Sequence, residues 1–228
     1  MIDKASEIAS LFHFWQTADG QVRDAQARLF DSSSHAWVTA PTTNVAAPND
    51  RSNTVSATRA VSLLTGQGAR RLPVGVIGPN DASEPELAMA EAVGRAIAAL
   101  GLPMICGGRG GCMEAASRGH AEAGGLVIGI LPSADWRGAN AHVAIPIATG
   151  IGEARNAIIA SACFALIAVG GGHGTLSEMA LGLKMERLVI AMPQAISVPG
   201  ALSCESVDDA MEAVASRYLA LGERAPAT

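Results

Sequence analysis

Two glycine-rich segments are the parts of the sequence best suited to hold a charged ligand. They read Gly107-Gly108-Arg109-Gly110-Gly111 and Gly170-Gly171-Gly172-His173-Gly174-Thr175. Glycine allows a backbone N–H to come within hydrogen-bonding distance of an oxyanion, where any Cβ would intrude. One such loop could equally be a tight turn, but two of them at helix starts predict a phosphate-binding site.

Two charged side chains lie close to these loops. Arg155 falls in the first turn of a predicted helix, where a cation opposes the helix dipole, so its position suggests that it grips a phosphate. Glu178 follows Thr175 by one turn and either faces the ligand or simply favours the helix terminus. His173 either touches the ligand or points outward. Gly78 and Asn156 complete the candidate ligand-binding residues.

From Pro73 onward, short apolar runs alternate with alanine-rich helical stretches. Apolar runs without polar alternation predict strands buried on both faces, and strand–helix alternation predicts parallel crossovers. We therefore expect an α/β fold: a doubly wound, mostly parallel, Rossmann-like sheet with helices on both faces. In such a sheet, ligands bind beyond the carboxyl ends of the strands. The six predicted strands are Val74–Ile77, Pro103–Cys106, Leu126–Leu131, His142–Ile147, Phe164–Val169 and Leu188–Met192.

The same pattern predicts five helices between and after these strands. They are expected at 84–100, from the first glycine loop to about 123, at 153–161, from the second loop to 184, and at 206–221. Ser83 is the expected N-cap of the first helix.

The first 70 residues differ in composition from the rest. Five of the eight aromatic residues lie there, Asp19-Gly20 could turn a hairpin, and the polar stretch Ala40–Ala57 reads as a linker. We place a boundary between about 58 and 72. The expected division is an N-terminal appendage and linker over 1–70 and a nucleotide- or phosphate-binding domain over 71–228.

Composition narrows the class of protein. The 228 residues carry a net charge of −5 and have no basic run, which argues against nucleic acid or an anionic membrane as partner. The longest apolar stretch, Ala157–Val169, is shorter than the roughly 20 residues of a membrane helix. With no signal-peptide pattern and four irregularly spaced cysteines, we expect a cytoplasmic protein with reduced thiols.

Several enzyme classes lack their motifs. There is no Gly-Lys-Ser/Thr for a Walker-type NTPase, and neither loop has the dinucleotide spacing with its acidic residue. Lys4 and Lys184 are the two lysines, and neither is placed to form a Schiff base with pyridoxal phosphate. No metal site is expected. Trp136, in the loop after the third strand, could cover a planar ligand or anchor its loop by burial.

Three segments resemble the LOG superfamily of Rossmann-like proteins, often labelled lysine decarboxylases. They are ICGGRGGCMEAASRGHAEAGGLVIGILP, GEARNAIIASA and GGGHGTLSE. LOG phosphoribohydrolases carry Pro-Gly-Gly-x-Gly-Thr-x-x-Glu and an upstream Arg-Lys pair, and they release the free base from nucleoside 5′-monophosphates. The resemblance assigns the motif glutamate to Glu178, its Gly-Thr to Gly174-Thr175, and the arginine to Arg155.

The sequence departs from the hydrolase pattern at two places. Gly170 replaces the motif proline, and Asn156 replaces the lysine beside the arginine. These segments look more like the sister branch that contains molybdenum-cofactor carrier proteins, which hold a phosphate-bearing pterin without transforming it and are homo-oligomeric.

The expected function is therefore a binding protein, carrier or sensor, for a phosphorylated heterocycle, either a nucleotide or the molybdenum cofactor as cargo. The alternative is a LOG-type hydrolase of nucleoside monophosphates such as AMP, with Arg155 and Glu178 as its catalytic residues. No cofactor is expected to be required for folding. The expected assembly is a homodimer or higher homo-oligomer.

Overall fold

The computed structural model describes residues 14–39 and 53–223, and it groups them into two compact units. One unit combines the residues up to Arg71 with those from Met211 onward, and the other is Leu72–Ala210. Phe12, Lys4 and most of the expected linker lie outside the described residues. The division into 1–70 and 71–228 stays a prediction; in the structure, the C-terminal residues group with the N-terminal ones.

The first unit is built on a five-stranded antiparallel sheet. Its elements are β1 (Phe14–Gln16), β2 (Val22–Arg23), β3 (Leu29–Asp31), β4 (Ala36–Val38), β5 (Thr54–Val55) and α1 (Ala57–Gly66). The strands lie in the order β4-β3-β2-β1-β5. Strands β1 and β2 pair across the turn at Asp19-Gly20, so the predicted hairpin is confirmed. The last residues assigned to a linker instead form β5 and the start of α1, neither of which was predicted.

The second unit alternates strands and helices. Its elements are β6 (Val74–Ile77), α2 (Glu84–Ala99), β7 (Met104–Cys106), α3 (Cys112–Glu122), β8 (Val127–Leu131), β9 (Ile145–Ala148), α4 (Asn156–Ala162), β10 (Ala165–Ala168), α5 (His173–Lys184), β11 (Leu188–Ala191) and β12 (Leu202–Ser203). Helix α6 (Val207–Ala220) crosses the division between the two units.

All neighbouring strands of the second sheet are parallel, in the order β12-β11-β10-β6-β7-β8-β9. The chain winds outward from β6 to β9 and then returns to place β10 on the other side of β6. Helix α2 packs against α3, and α4 packs against α5. Because right-handed crossovers wound in opposite directions lie on opposite faces, this is the expected doubly wound fold.

The predicted strands and helices agree with the structure to within one or two residues, with three corrections. The strand expected at His142–Ile147 is β9, which runs from Ile145 to Ala148 because His142 lies in the preceding turn. A seventh strand, β12, is too short to leave an apolar run in the sequence. The helix expected at 153–161 begins as a 3₁₀ turn, Gly152–Arg155, before α4. At the start of α2, Ser83 donates its N–H to the Glu86 carboxylate at 2.7 Å, which fixes this helix end as the sequence indicated.

The central strands of the second sheet are apolar because they are buried on both faces. Every residue of β6, β7 and β10 is buried. The core combines Ile77, Ile105 and Leu166 with Met179 from α5. Among the described residues, no helix is both long and apolar enough to cross a membrane.

Candidate functional site

A cavity of about 250 Å³ opens at the carboxyl ends of the strands, beside the point where the strand order reverses. This reversal, between β6 and β10, is where open α/β sheets hold their ligands. The lining residues come from the ends of three neighbouring strands and from the turn before α4. They are Ile77, Gly78, Pro79, Asn80, Gly107, Arg109, Met113, Glu153, Arg155, Asn156, Gly172, Gly174, Thr175 and Glu178.

Most residues that the sequence selected lie together in this cavity. The cavity is lined by Gly78, Gly107, Arg109, Arg155, Asn156, Gly172, Gly174, Thr175 and Glu178. The others are outside its lining, namely Gly108, Gly110, Gly111, Gly171 and His173. His173 is the exposed first residue of α5, and it is not among the lining residues.

Arg155 ends the 3₁₀ turn and is only 4 % exposed. Its Nη1 lies 3.4 Å from Glu178 Oε1 and also donates to the Asn156 side-chain oxygen. Its Nε has no hydrogen-bond partner among the described residues. A buried guanidinium with an unused donor is costly, so this arginine is suited to receive an anionic ligand.

Room for this arginine comes from the first glycine loop. A Cβ on Gly107 would lie 2.8 Å from Arg155 Nη2 and 2.7 Å from Met113 Sδ. A side chain at this position would therefore displace the Arg155 guanidinium or the end of the Met113 side chain.

Glu178 faces Arg155 from the second turn of α5 and is 5 % exposed. Burial raises the pKa of its carboxyl to about 7, while Arg155 acts in the opposite direction and Glu153 adds to the rise. Loss of hydration disfavours the charged carboxylate more than one guanidinium favours it. Near neutral pH, this side chain is thus a mixture of acid and carboxylate.

Asn156 connects the arginine to the second glycine loop. Its Nδ2 donates to Ser177 Oγ at 2.8 Å, and Ser177 Oγ donates to the Gly174 carbonyl at 2.7 Å. The residue that replaces the hydrolase lysine therefore connects Arg155 to α5, accepting a charge-assisted hydrogen bond from the arginine and donating a neutral one to Ser177.

The two glycine loops differ in the backbone donors that they offer. In the first loop, Gly110 N–H donates to Asn80 Oδ1 at 3.0 Å, and Cys112 N–H donates to the Pro79 carbonyl at 3.0 Å. In the second loop, α5 begins at His173, and the first N–H groups of a helix have no partner within it. The start of α5 therefore has backbone N–H groups that no bond within the helix uses.

Gly170 has φ +66°, and a Cβ there would lie 2.1 Å from Glu86 Oε1. Proline requires φ near −65°. This backbone therefore cannot accept the proline that LOG hydrolases carry at the equivalent position.

Sequence reasoning missed several lining residues, chiefly Asn80 and Glu153. Asn80 lies three residues after the last residue of β6, so the sequence already placed it near the carboxyl edge of the sheet. Trp136 is 57 % exposed and outside the lining, with the Arg137 guanidinium 5.2 Å from its ring centroid. It does not anchor its loop by burial. Within the described residues, no group of three or more His, Cys, Asp or Glu is placed to hold a metal.

The sequence profile of the SLOG cluster4 family matches residues 71–217, well over half of the chain. The chain belongs to the SLOG cluster4 family. This membership confirms the LOG resemblance, and the matched region contains every residue that lines the cavity.

Solved structures and a further relative are similar to this SLOG cluster4 protein over about two thirds of the chain. The molybdenum cofactor binding protein of Rippkaea orientalis is 36 % identical, with TM-score 0.61 over 64 % of this chain and 97 % of that one. The molybdenum cofactor carrier protein of Chlamydomonas reinhardtii is 36 % identical, with TM-score 0.60 over 66 % and 99 %. An uncharacterised protein of Archaeoglobus fulgidus is 40 % identical over 61 % of this chain and 92 % of its own length.

Proposed function

We propose that this protein binds a phosphorylated heterocycle in the cavity and carries it without transforming it, with the molybdenum cofactor as its cargo. The observation that carries this proposal is Arg155, a buried guanidinium in the cavity wall with an unpartnered Nε. The similarity to a cofactor binding protein and a carrier protein over nearly their whole lengths supports the choice of ligand.

The phosphate of the ligand is proposed to lie against the start of α5. There the N–H groups from His173 to Thr175 and the positive end of the helix dipole favour an anion. Arg155 adds a charge-assisted contact from the opposite side. The first loop contributes less, because its Gly110 N–H is already bonded to Asn80.

The residues that line the cavity are better suited to binding a ligand than to transforming it. Neither lysine nor cysteine is among the lining residues, and Thr175 is their one hydroxyl. Glu178, with its pKa raised to about 7, can donate a hydrogen bond to the ligand in its neutral form.

Binding can be tested directly with the full-length protein and isolated molybdenum cofactor under anaerobic conditions. Gel filtration followed by fluorescence of the oxidised pterin should show the pterin eluting with the protein. The Arg155→Ala variant should lose this co-elution, while Arg95→Ala, at an exposed helix position, should retain it. A wild-type protein that elutes free of pterin would contradict the proposal.

The second candidate function is hydrolysis of the N-glycosidic bond in nucleoside 5′-monophosphates. The proximity of Arg155 and Glu178 in one cavity favours it, because a carboxylate there could stabilise an oxocarbenium-like transition state. The test is release of free base from adenosine 5′-monophosphate, with a LOG hydrolase as positive control.

We expect little or no release, because Gly170 and Asn156 replace the hydrolase residues beside both charged groups. If turnover occurs, it should rise as Glu178 ionises around pH 7 and disappear in Glu178→Gln. Robust turnover of that kind would favour the hydrolase over the carrier.

We also propose that the protein acts in the cytoplasm as a homodimer or higher homo-oligomer, with neither nucleic acid nor membrane as partner, and that it folds without a cofactor. The net charge of −5 supports the exclusion of polyanionic partners. Sedimentation equilibrium of the ligand-free protein tests the assembly and, with circular dichroism, the folding.

A further inference from the structure

Glu153 lies between two arginines of the cavity wall. Its Oε1 is 3.5 Å from Arg109 Nη1, and its Oε2 is 3.9 Å from Arg155 Nη2. All three side chains line the cavity. One carboxylate thus places each of its oxygens toward a different guanidinium.

This arrangement is the one that a bound oxyanion would adopt. A phosphate, like a carboxylate, presents separate oxygens to separate guanidinium groups. Arg109 and Arg155 come from different loops, and the Glu153 carboxylate lies near both guanidinium groups.

The Glu153 contacts are weak enough to be exchanged. Both distances exceed those of good charge-assisted hydrogen bonds, and the side chain is 64 % exposed. The pair with Arg109, in which both side chains are exposed, contributes little to stability because water screens it. The contact with the buried Arg155 is long, at 3.9 Å. The carboxylate can therefore turn into solvent at small cost.

Arg155 keeps its place when Glu153 leaves. Its Nη1 is bound to the Asn156 side chain and lies 3.4 Å from Glu178 Oε1, so Nη2 is the part that faces Glu153. Loss of Glu153 would expose that part of the guanidinium to a ligand without moving the arginine.

We propose that Glu153 is an internal competitor that occupies the place of the ligand anion between Arg109 and Arg155 and is displaced on binding. This inference rests on the proposed function, because it assumes that the same cavity takes a phosphorylated ligand. Glu153 must leave before any anion binds between the two guanidinium groups, so it lowers the apparent affinity of each such anion by the same factor.

The experiment is a calorimetric titration of the full-length protein with inorganic phosphate, pyrophosphate and acetate. Removing the competing charge in Glu153→Gln should tighten phosphate and pyrophosphate binding by about 2- to 10-fold, the range that one or two partly exposed ion pairs account for. Acetate should gain by a similar factor, because it competes with the same carboxylate.

The matched control is Glu122→Gln. Glu122 is another exposed carboxylate, at the C-terminal end of α3, and it lies 3.8 Å from Arg95 of α2. Its replacement by glutamine changes the net charge as much as Glu153→Gln does. The Glu122→Gln variant should bind phosphate and pyrophosphate with the affinities of the wild type. Circular dichroism confirms that both variants are folded.

A second pair of variants tests whether Glu153 acts through the arginines. Arg109→Gln should weaken phosphate binding, and adding Glu153→Gln to it should improve affinity less than it does in the wild-type background. An equal gain in both backgrounds would show that Glu153 repels the anion without competing for Arg109.

The outcomes separate this inference from the proposed function. If the wild type binds phosphate or pyrophosphate and Glu153→Gln binds neither more tightly, the competitor role is overturned while the binding function stands. If neither protein binds either anion at tens of millimolar, both proposals are overturned.

Discussion

At the scale of single residues, the site depends on a buried arginine that the protein only partly satisfies. Gly107 leaves space for its guanidinium, Asn156 and Glu178 engage one nitrogen, and Nε lacks a partner among the described residues. Burial of a charge is tolerated where it is paired, and a ligand phosphate would complete the pairing here.

Arg155→Ala should therefore weaken binding of a phosphorylated ligand more than binding of its dephosphorylated analogue. A hydrogen bond to a charged group contributes about 1.5–3 kcal/mol, so we expect a loss of roughly 10- to 150-fold for the phosphorylated form. Isothermal calorimetry with both ligands measures the difference. Equal affinities of wild type and variant for the phosphorylated ligand would remove Arg155 from the site.

Glu178 should make stability depend on pH in an unusual direction. Its pKa is raised from 4.5 to about 7 in the folded protein, so the folded state holds a proton that the unfolded state releases. Stability from this group is fully present below pH 4.5 and is lost as the pH rises through about 7, by at most about 3 kcal/mol.

Glu178→Gln should remove this dependence. Urea unfolding at pH 5.5 and pH 8 should show a smaller fall in the free energy of unfolding for the variant than for the wild type. The same fall in both proteins would mean that the carboxyl titrates normally.

At the scale of elements, the second glycine loop is shaped by its backbone as much as by a ligand. Gly170 adopts φ +66° beside Glu86, whereas Gly172 is extended, with φ −149° and open space where a Cβ would be. The two glycines of one loop thus have different reasons for lacking a side chain.

Gly170→Ala should destabilise the protein by about 1–2 kcal/mol, because an L-residue in this region brings its Cβ against a carbonyl oxygen. Gly172→Ala should leave stability unchanged but weaken phosphate binding, since its Cβ would enter the cavity. Thermal unfolding and calorimetry of the two variants distinguish these effects. Equal destabilisation by both would contradict the assignment.

At the scale of the whole molecule, the first unit unites segments from both ends of the chain. Trp37 Nε1 donates to the Leu219 carbonyl at 3.1 Å, and the Phe30 ring stacks on Tyr218 at 6.3 Å between centroids. The end of α6 therefore packs with the N-terminal strands, and Phe14, Trp15, Phe30 and Trp37 are buried in this unit.

A chain beginning at Arg70 should keep the circular dichroism and phosphate affinity of the α/β unit. It should also self-associate more, because Tyr218 and Leu219 lose their packing partners. Light scattering after gel filtration measures the association. Loss of helical signal in the shortened chain would show that its fold needs the N-terminal residues.

In the full chain, Phe30→Ala should reduce stability by about 3–5 kcal/mol and leave phosphate affinity unchanged.

The sequence by itself determined the class of fold and the edge of the sheet that carries the site. Apolar runs such as Val74–Ile77 and Phe164–Val169 are continuous because parallel strands are covered on both faces, and this local property is visible in the sequence. The carboxyl ends of parallel strands lie at the same edge of a sheet. Because each glycine loop follows a predicted strand in the sequence, both loops could be assigned to that edge.

Only the tertiary structure decided which side chains meet. The approach of Glu153 to Arg109, the use of Gly110 N–H by Asn80, and the pairing of Arg155 with Glu178 depend on the strand order, which brings separate loops together. The packing of Phe30 on Tyr218 joins residues far apart in the sequence. Such contacts form through surface complementarity between distant segments, and that leaves no periodic pattern in either segment alone.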